Sequence, residues 1–165
     1  MFFDENLIDI LKKNKDKFKD NSKIIIGKLK NVENKFICSK YTLNKLPNIF
    51  KNYETITSTN FRDTIMININ NNIQYFKITK KLIYMNDNLI IENKQSIPVD
   101  SQCFPNLVKY DNHVNYIKFT IKINSDIDLI GIKKNGTIYI EIHIDNVSNI
   151  KKNDIKHINK LLKNI

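Results

Sequence analysis

Alanine and tryptophan are missing from this chain of 165 residues, and Arg62 is its only arginine. Glycine occurs three times, as Gly27, Gly131 and Gly136, and proline three times, as Pro47, Pro98 and Pro105. Each scarcity removes a class of chemistry. Three scattered glycines cannot build a glycine-rich phosphate loop or a dinucleotide-binding turn. One arginine cannot read a duplex through bidentate contacts to guanine. Cys38 and Cys103, far apart in sequence, predict reduced thiols and no disulfide framework. No apolar run approaches the length of a membrane span. The acids of Met1-Phe2-Phe3-Asp4-Glu5 stand where a secretory leader needs basic residues. These readings predict a cytoplasmic chain without a membrane partner. His113, His143 and His157 are dispersed, and no Cys-x-x-Cys, His-Glu-x-x-His or Gly-x-Ser-x-Gly motif occurs. The sequence therefore predicts neither a cofactor nor a catalytic triad.

Lysine, asparagine and isoleucine take up the room. Their codons are A/T-rich, whereas the missing residues mostly use G/C-rich ones, so the composition points to an AT-rich genome such as that of a virus or cytoplasmic replicon. The formal net charge of +10 is then partly a mutational default. Lysine still attracts phosphate without regard to base sequence. A hydrophobic fraction of 41% with nine phenylalanines predicts a buried core and not a disordered chain. The length predicts a single domain over residues 1–165.

Residues 4–18 read as an amphipathic helix: Asp4 can cap it, and Leu7, Ile8, Leu11 and Phe18 lie near one stripe. Extended segments follow near 23–30 and 35–41, and a short helix is expected from Pro47 within 43–53. Thr64–Asn70 and Ile73–Thr79 alternate around Asn71-Asn72, which predicts a hairpin that pairs Ile67 with Phe76 and Asn68 with Tyr75. Lys81–Met85 and Leu89–Glu92 form a second expected pair, and 93–112 reads as a long connection. Tyr116–Ile123, Ile127–Ile132 and Thr137–Asp145 predict a three-stranded meander, its last turn at Asn135-Gly136. In it Ile127, Leu129, Ile138, Ile140, Ile142 and Ile144 share one face. A helix over 148–163, with Ser148 at its start, closes the chain. The fold class is α+β: an antiparallel sheet or partly closed β-barrel over about 23–145, an OB-type barrel being one option, between N- and C-terminal amphipathic helices.

Two constellations could carry chemistry. The first is basic and aromatic: Lys28, Lys30, Lys35, Tyr41, Tyr75, Lys77, Lys80, Lys81 and Tyr84 lie on or beside predicted strands. Exposed tyrosines among lysines suit single strands, because bases stack while the lysines hold phosphates. The second is acidic. Opposite the isoleucines of the last hairpin stand Asp126, Asp128, Glu141, His143 and Asp145, with Asp128 facing His143 and Asp126 facing Asp145. A hard divalent ion would suit such oxygens. With Lys122 beside Asp126, the same residues also read as a charge-complementary solvent face, which is the reading adopted.

Glu141-Ile-His143-Ile-Asp145, on a late strand before a terminal helix, resembles the alternating-acid strand of the tunnel-type triphosphatases. Those metal-dependent enzymes place two acidic strands and several basic residues inside a β-barrel. The resemblance implies Glu141 and Asp145 as metal ligands and Lys118 and Lys122 on phosphates. It also implies an early strand reading Glu-x-Glu, but Ile24–Lys30 has no acid, and His143 stands in place of the middle acid. The leading expectation is a non-enzymatic, largely sequence-independent binder of single-stranded DNA or RNA. The alternatives are a metal-dependent phosphohydrolase, with Asp126, Asp128, Glu141 and Asp145 as ligands, and an assembly subunit that self-associates or docks on a replication or transcription protein.

Overall fold

The computed structural model describes residues 3–19, 22–28, 53–86, 89–104, 113–134 and 137–162. Eight strands run through them: β1 (Lys23–Lys28), β2 (Tyr53–Phe61), β3 (Thr64–Ile69), β4 (Asn72–Met85), β5 (Leu89–Pro98), β6 (His113–Lys122), β7 (Ile127–Lys134) and β8 (Thr137–Ile144). All neighbours are antiparallel, and the ring closes in the order β1-β5-β4-β3-β2-β6-β7-β8. Two meanders, β2 to β5 and β6 to β8, make most of the wall. They join through β2 and β6 on one side, and β1 enters between β5 and β8 on the other. This is a closed barrel of eight strands, whereas an OB barrel has five.

Side chains on a strand alternate, so every stave has one row facing inward and one facing outward. On β1 and β8 the outward row is Ile24, Ile26, Ile142 and Ile144, all buried. Burial on an outer surface requires a cover, and the helices supply it. Helix α1 (Asn6–Lys13) brings Leu7, Ile8 and Leu11, and α2 (Lys152–Leu162) brings Ile155, Ile158 and Leu162, into one cluster with those isoleucines, Ile127 and Leu129. Burying each such side chain contributes about 1.5–3 kcal/mol. The two terminal segments are tied by reciprocal hydrogen bonds. The Phe3 backbone N–H donates to Asn159 Oδ1 at 2.9 Å, and Asn159 Nδ2 donates to the Phe3 carbonyl at 2.7 Å. The main core thus lies between the helices and one outer wall of the barrel.

Several expectations need correction. The first helix stops at Lys13, and a 3-10 turn at Lys15–Lys17 follows. Asp4 acts at its start, accepting from the Asn6 N–H at 3.0 Å. The last helix begins at Lys152. Ser148 is not its cap but sits in a 3-10 turn capped by Asn146, and Asp154 accepts from the Lys151 N–H at 2.8 Å. The β3–β4 loop is Asn70-Asn71, both with positive φ (51° and 65°), and not Asn71-Asn72. Positive φ at both central residues is the turn that matches strand twist, and asparagine tolerates it. Ile67 consequently faces Gln74, and Tyr75 faces Met66. This slip of two residues leaves every side chain on its expected face. Residues 93–98, read as connection, belong to β5, and β2 was not anticipated at all. The strand expected near 35–41, the short helix from Pro47 and the Asn135-Gly136 turn lie outside the described residues. Among the described residues no helix is long and apolar enough to cross a membrane.

Candidate active site inside the barrel

The inward rows decide what the barrel can do. From β8 they bring Glu141 and His143, from β5 Glu92 and Lys94, from β4 Lys80, from β6 Tyr116 and Lys118, and from β7 Lys134. These line an internal cavity of about 400 Å³ with Ile25, Ser58, Asn60 and Tyr139. On β1 and β8 the apolar rows are taken up by the helix-covered outer wall, so Glu141 and His143 face inward, where they share the lining with apolar Ile25, Val114 and Ile132. Four lysines against two glutamates give the cavity a surplus of two positive charges. A second cavity of about 740 Å³ shares Lys94, Lys118 and His143 with it and is lined also by Lys15, Lys19, Lys23 and Asp145.

The electrostatics show in the side chains. Burial lowers the pKa of Lys94 from its ordinary 10.5, and Lys80, Lys118 and Lys23 lower it further, against a raising effect from Glu141. Packing several ammonium groups around one is unfavourable in the absence of an anion. Burial raises the Tyr116 phenol above 10.0, with Glu141 adding to the rise. His143 and Glu141 are a close pair: Nε2 lies 2.8 Å from Oε2, and their side chains are 11% and 26% exposed. In the tautomer that donates Nε2–H to the Glu141 carboxylate, Nδ1 is left as an acceptor.

The acidic face of the last hairpin is therefore not the solvent face it was read as. Its register is as expected for Asp128 and His143, and Glu141 stands opposite Ile130. What the sequence reading mistook was the side of Glu141 and His143, which line the cavity, whereas Asp145 is exposed. Lys122 faces Asp128, not Asp126. Asp126 instead receives a hydrogen bond from Asn149 Nδ2, and its carbonyl accepts from the Asp145 N–H at 2.8 Å. The expected metal set of Asp126, Asp128, Glu141 and Asp145 is not drawn together.

A divalent ion, which the triphosphatase resemblance implies, does not fit the donors present. A hard cation needs several convergent oxygens. Among the described residues no three carboxylates, imidazoles or thiols cluster. Beside β8, the inward positions of β1 are Lys23, Ile25 and Gly27, and Glu141 is already engaged by His143.

The basic and aromatic set disperses. Lys30, Lys35 and Tyr41 lie outside the described residues, and Lys28 ends β1 opposite Leu89. Tyr75 points outward and packs on Phe104 at 5.8 Å between ring centroids. Lys77 pairs outside with Asp63 at 3.6 Å. Lys81 shares the outer face with Asn93, its β5 partner, and Tyr84 packs against the helix-covered core. Of its described members only Lys80 lines the cavity. Sequence reading did not single out Glu92, Lys94, Tyr116 or Lys134. A signal existed in the alternation Ile-Glu92-Asn-Lys94-Gln, but with polar residues in both rows it does not read as a strand.

No protein-family model matches the sequence, and no curated protein matches it as a relative. Two solved structures share its architecture. The RNA triphosphatase domain of a trifunctional mimivirus mRNA capping enzyme superposes over 99% of this chain and 98% of that one, with a TM-score of 0.53 and 14% identity. A triclinic structure of the mimivirus capping enzyme triphosphatase matches over 99% and 96%, with a TM-score of 0.50 and 14% identity. Both, with the dispersal of the basic and aromatic set, overturn the non-enzymatic single-strand binder as the leading reading. The fold of this chain is the closed tunnel barrel of those triphosphatases.

Proposed function

We propose that the barrel receives the triphosphate end of an RNA or a nucleotide and acts as a triphosphatase, releasing the terminal phosphate. The observation that carries this reading is the convergence of Lys80, Lys94, Lys118 and Lys134 with the Glu141–His143 pair in the interior of a barrel of triphosphatase fold. Lysines held inside a low-dielectric enclosure stabilise phosphate charge more than the same lysines would in water. They would neutralise the chain of phosphates and the charge that collects on the leaving oxygen. His143, with its Nε2 proton held by Glu141, keeps Nδ1 as the base. A water molecule attacks the terminal phosphorus, His143 takes its proton, and the bond to the bridging oxygen breaks, leaving a diphosphate end and free phosphate. Tyr116, kept protonated by burial and by Glu141, is a neutral donor to a phosphate oxygen.

The experiment is phosphate release from 5′-triphosphate RNA and from nucleoside triphosphates, with and without added Mg²⁺ or Mn²⁺. Release should be detectable, and His143→Ala should lower it by about 10² or more. Lys118→Ala should weaken substrate use without abolishing the fold. Comparison of the RNA and nucleotide arms identifies the substrate. A wild-type chain that releases phosphate from neither defeats the proposal.

A further inference from the structure

We infer that this tunnel grips its polyphosphate with lysines alone, without a divalent ion ligated by the protein. The inference rests on the triphosphate reading and deepens it, since it states how the anion is held. Three observations converge. The wall beside Glu141 and His143 is β1, which turns Lys23, Ile25 and Gly27 inward, so that a cation, an alkyl group and a hydrogen stand where ligating carboxylates would have to be. Gly27 is opposite Glu141, and a Cβ added there would meet nothing within 4 Å among the described residues. The one inward acid on β8 close to a potential donor partner, Glu141, is occupied by His143 at 2.8 Å.

Across β1 the next stave repeats the pattern. Glu92 stands opposite Ile25 and Lys94 opposite Lys23. Its one inward carboxylate is separated from the β8 pair by an aliphatic residue, and its lysine joins Lys80 and Lys118. Divalent ions and ammonium groups serve the same purpose for a polyphosphate, which is to cancel its charge. Here the ammonium groups are present, and among the described residues the carboxylates that would hold an ion are too few. Burial, and after it the neighbouring Lys80, Lys118 and Lys23, lower the Lys94 pKa, and an anion placed among these side chains offsets their repulsion.

Isothermal titration of the full chain with inorganic tripolyphosphate, first in a chelator and then with Mn²⁺, tests this. The expected result is binding in the chelator, with Mn²⁺ changing the affinity by no more than about twofold. Glu141→Gln should tighten binding, because it removes a negative charge from the anion's enclosure. Glu92→Gln should do the same and serves if the first variant folds poorly. Binding that requires Mn²⁺, or that either variant weakens by about tenfold, overturns the inference but leaves the triphosphate reading standing. Absence of binding under both conditions overturns both.

Discussion

At the scale of single residues the proposed anion site carries a cost in stability. Lys94 shows this best. Its folded pKa lies below the ordinary 10.5, so between those two values the unfolded chain binds more protons than the folded one. Stability should therefore rise as pH climbs through that window toward 10.5, and the penalty should be fully present below it. Lys94→Met should flatten this rise, increase the melting temperature near neutral pH and weaken tripolyphosphate binding. Thermal melts across pH 8–10.5, with titrations of the same samples, check all three. Tyr116 acts in the opposite sense: its raised pKa means stability is lost as pH passes above 10.0. The residue-level roles were only partly legible. Glu141 and His143 were singled out by the hairpin register and Lys118 by resemblance, but Lys94 and Tyr116 acquire meaning only from neighbours on other staves.

At the scale of elements, what could be read depended on whether one row of a strand was apolar. In β8 the row Ile138, Ile140, Ile142 and Ile144 marks the strand plainly. In β5 the outward row includes Asn93, which is buried (4% exposed) and hydrogen-bonded. Its Oδ1 accepts from the Lys19 N–H at 3.3 Å, and its Nδ2 donates to Ser22 Oγ at 2.7 Å. A polar residue in the covered row, next to charged residues in the tunnel row, erases the period-two signal, so the strand reads as a loop. Asn93→Leu should cost about 1–3 kcal/mol in thermal or denaturant unfolding, since the Lys19 donor loses its acceptor. The β3–β4 turn offers a second check. Asn71→Gly should be tolerated, while Asn71→Val should cost about 1–2 kcal/mol because its φ of 65° crowds a branched Cβ. Strand β1 gives a third test, one of gain. The double variant Ile25→Glu, Gly27→Glu installs two carboxylates beside Glu141. It should unfold more readily in a chelator and recover when Mn²⁺ is added, whereas the parent melts alike in both.

At the scale of the whole molecule, the sequence separated apolar from polar rows where a strand alternates cleanly, but not which side of the wall each row faces. The amphipathic helices, the isoleucine rows and the barrel option all follow from alternation. A polar row on a strand means only that it avoids the core. In an open sheet that places it in bulk solvent, and in a closed ring it places it in the lumen. Closure depends on β1 pairing with β5 on one edge and with β8 on the other, and pairings so distant leave no trace in a local window. That distance also bears on how the molecule assembles. Ile24 finds its partner Ile144 only after the intervening chain is in place, so the meanders can form early while the final stave waits. Until then β5 and β8 carry bare edges able to recruit foreign strands. The slow, concentration-sensitive stage of refolding should be the seating of this one six-residue segment, and substitutions in β1 should govern yield more than those in any other strand.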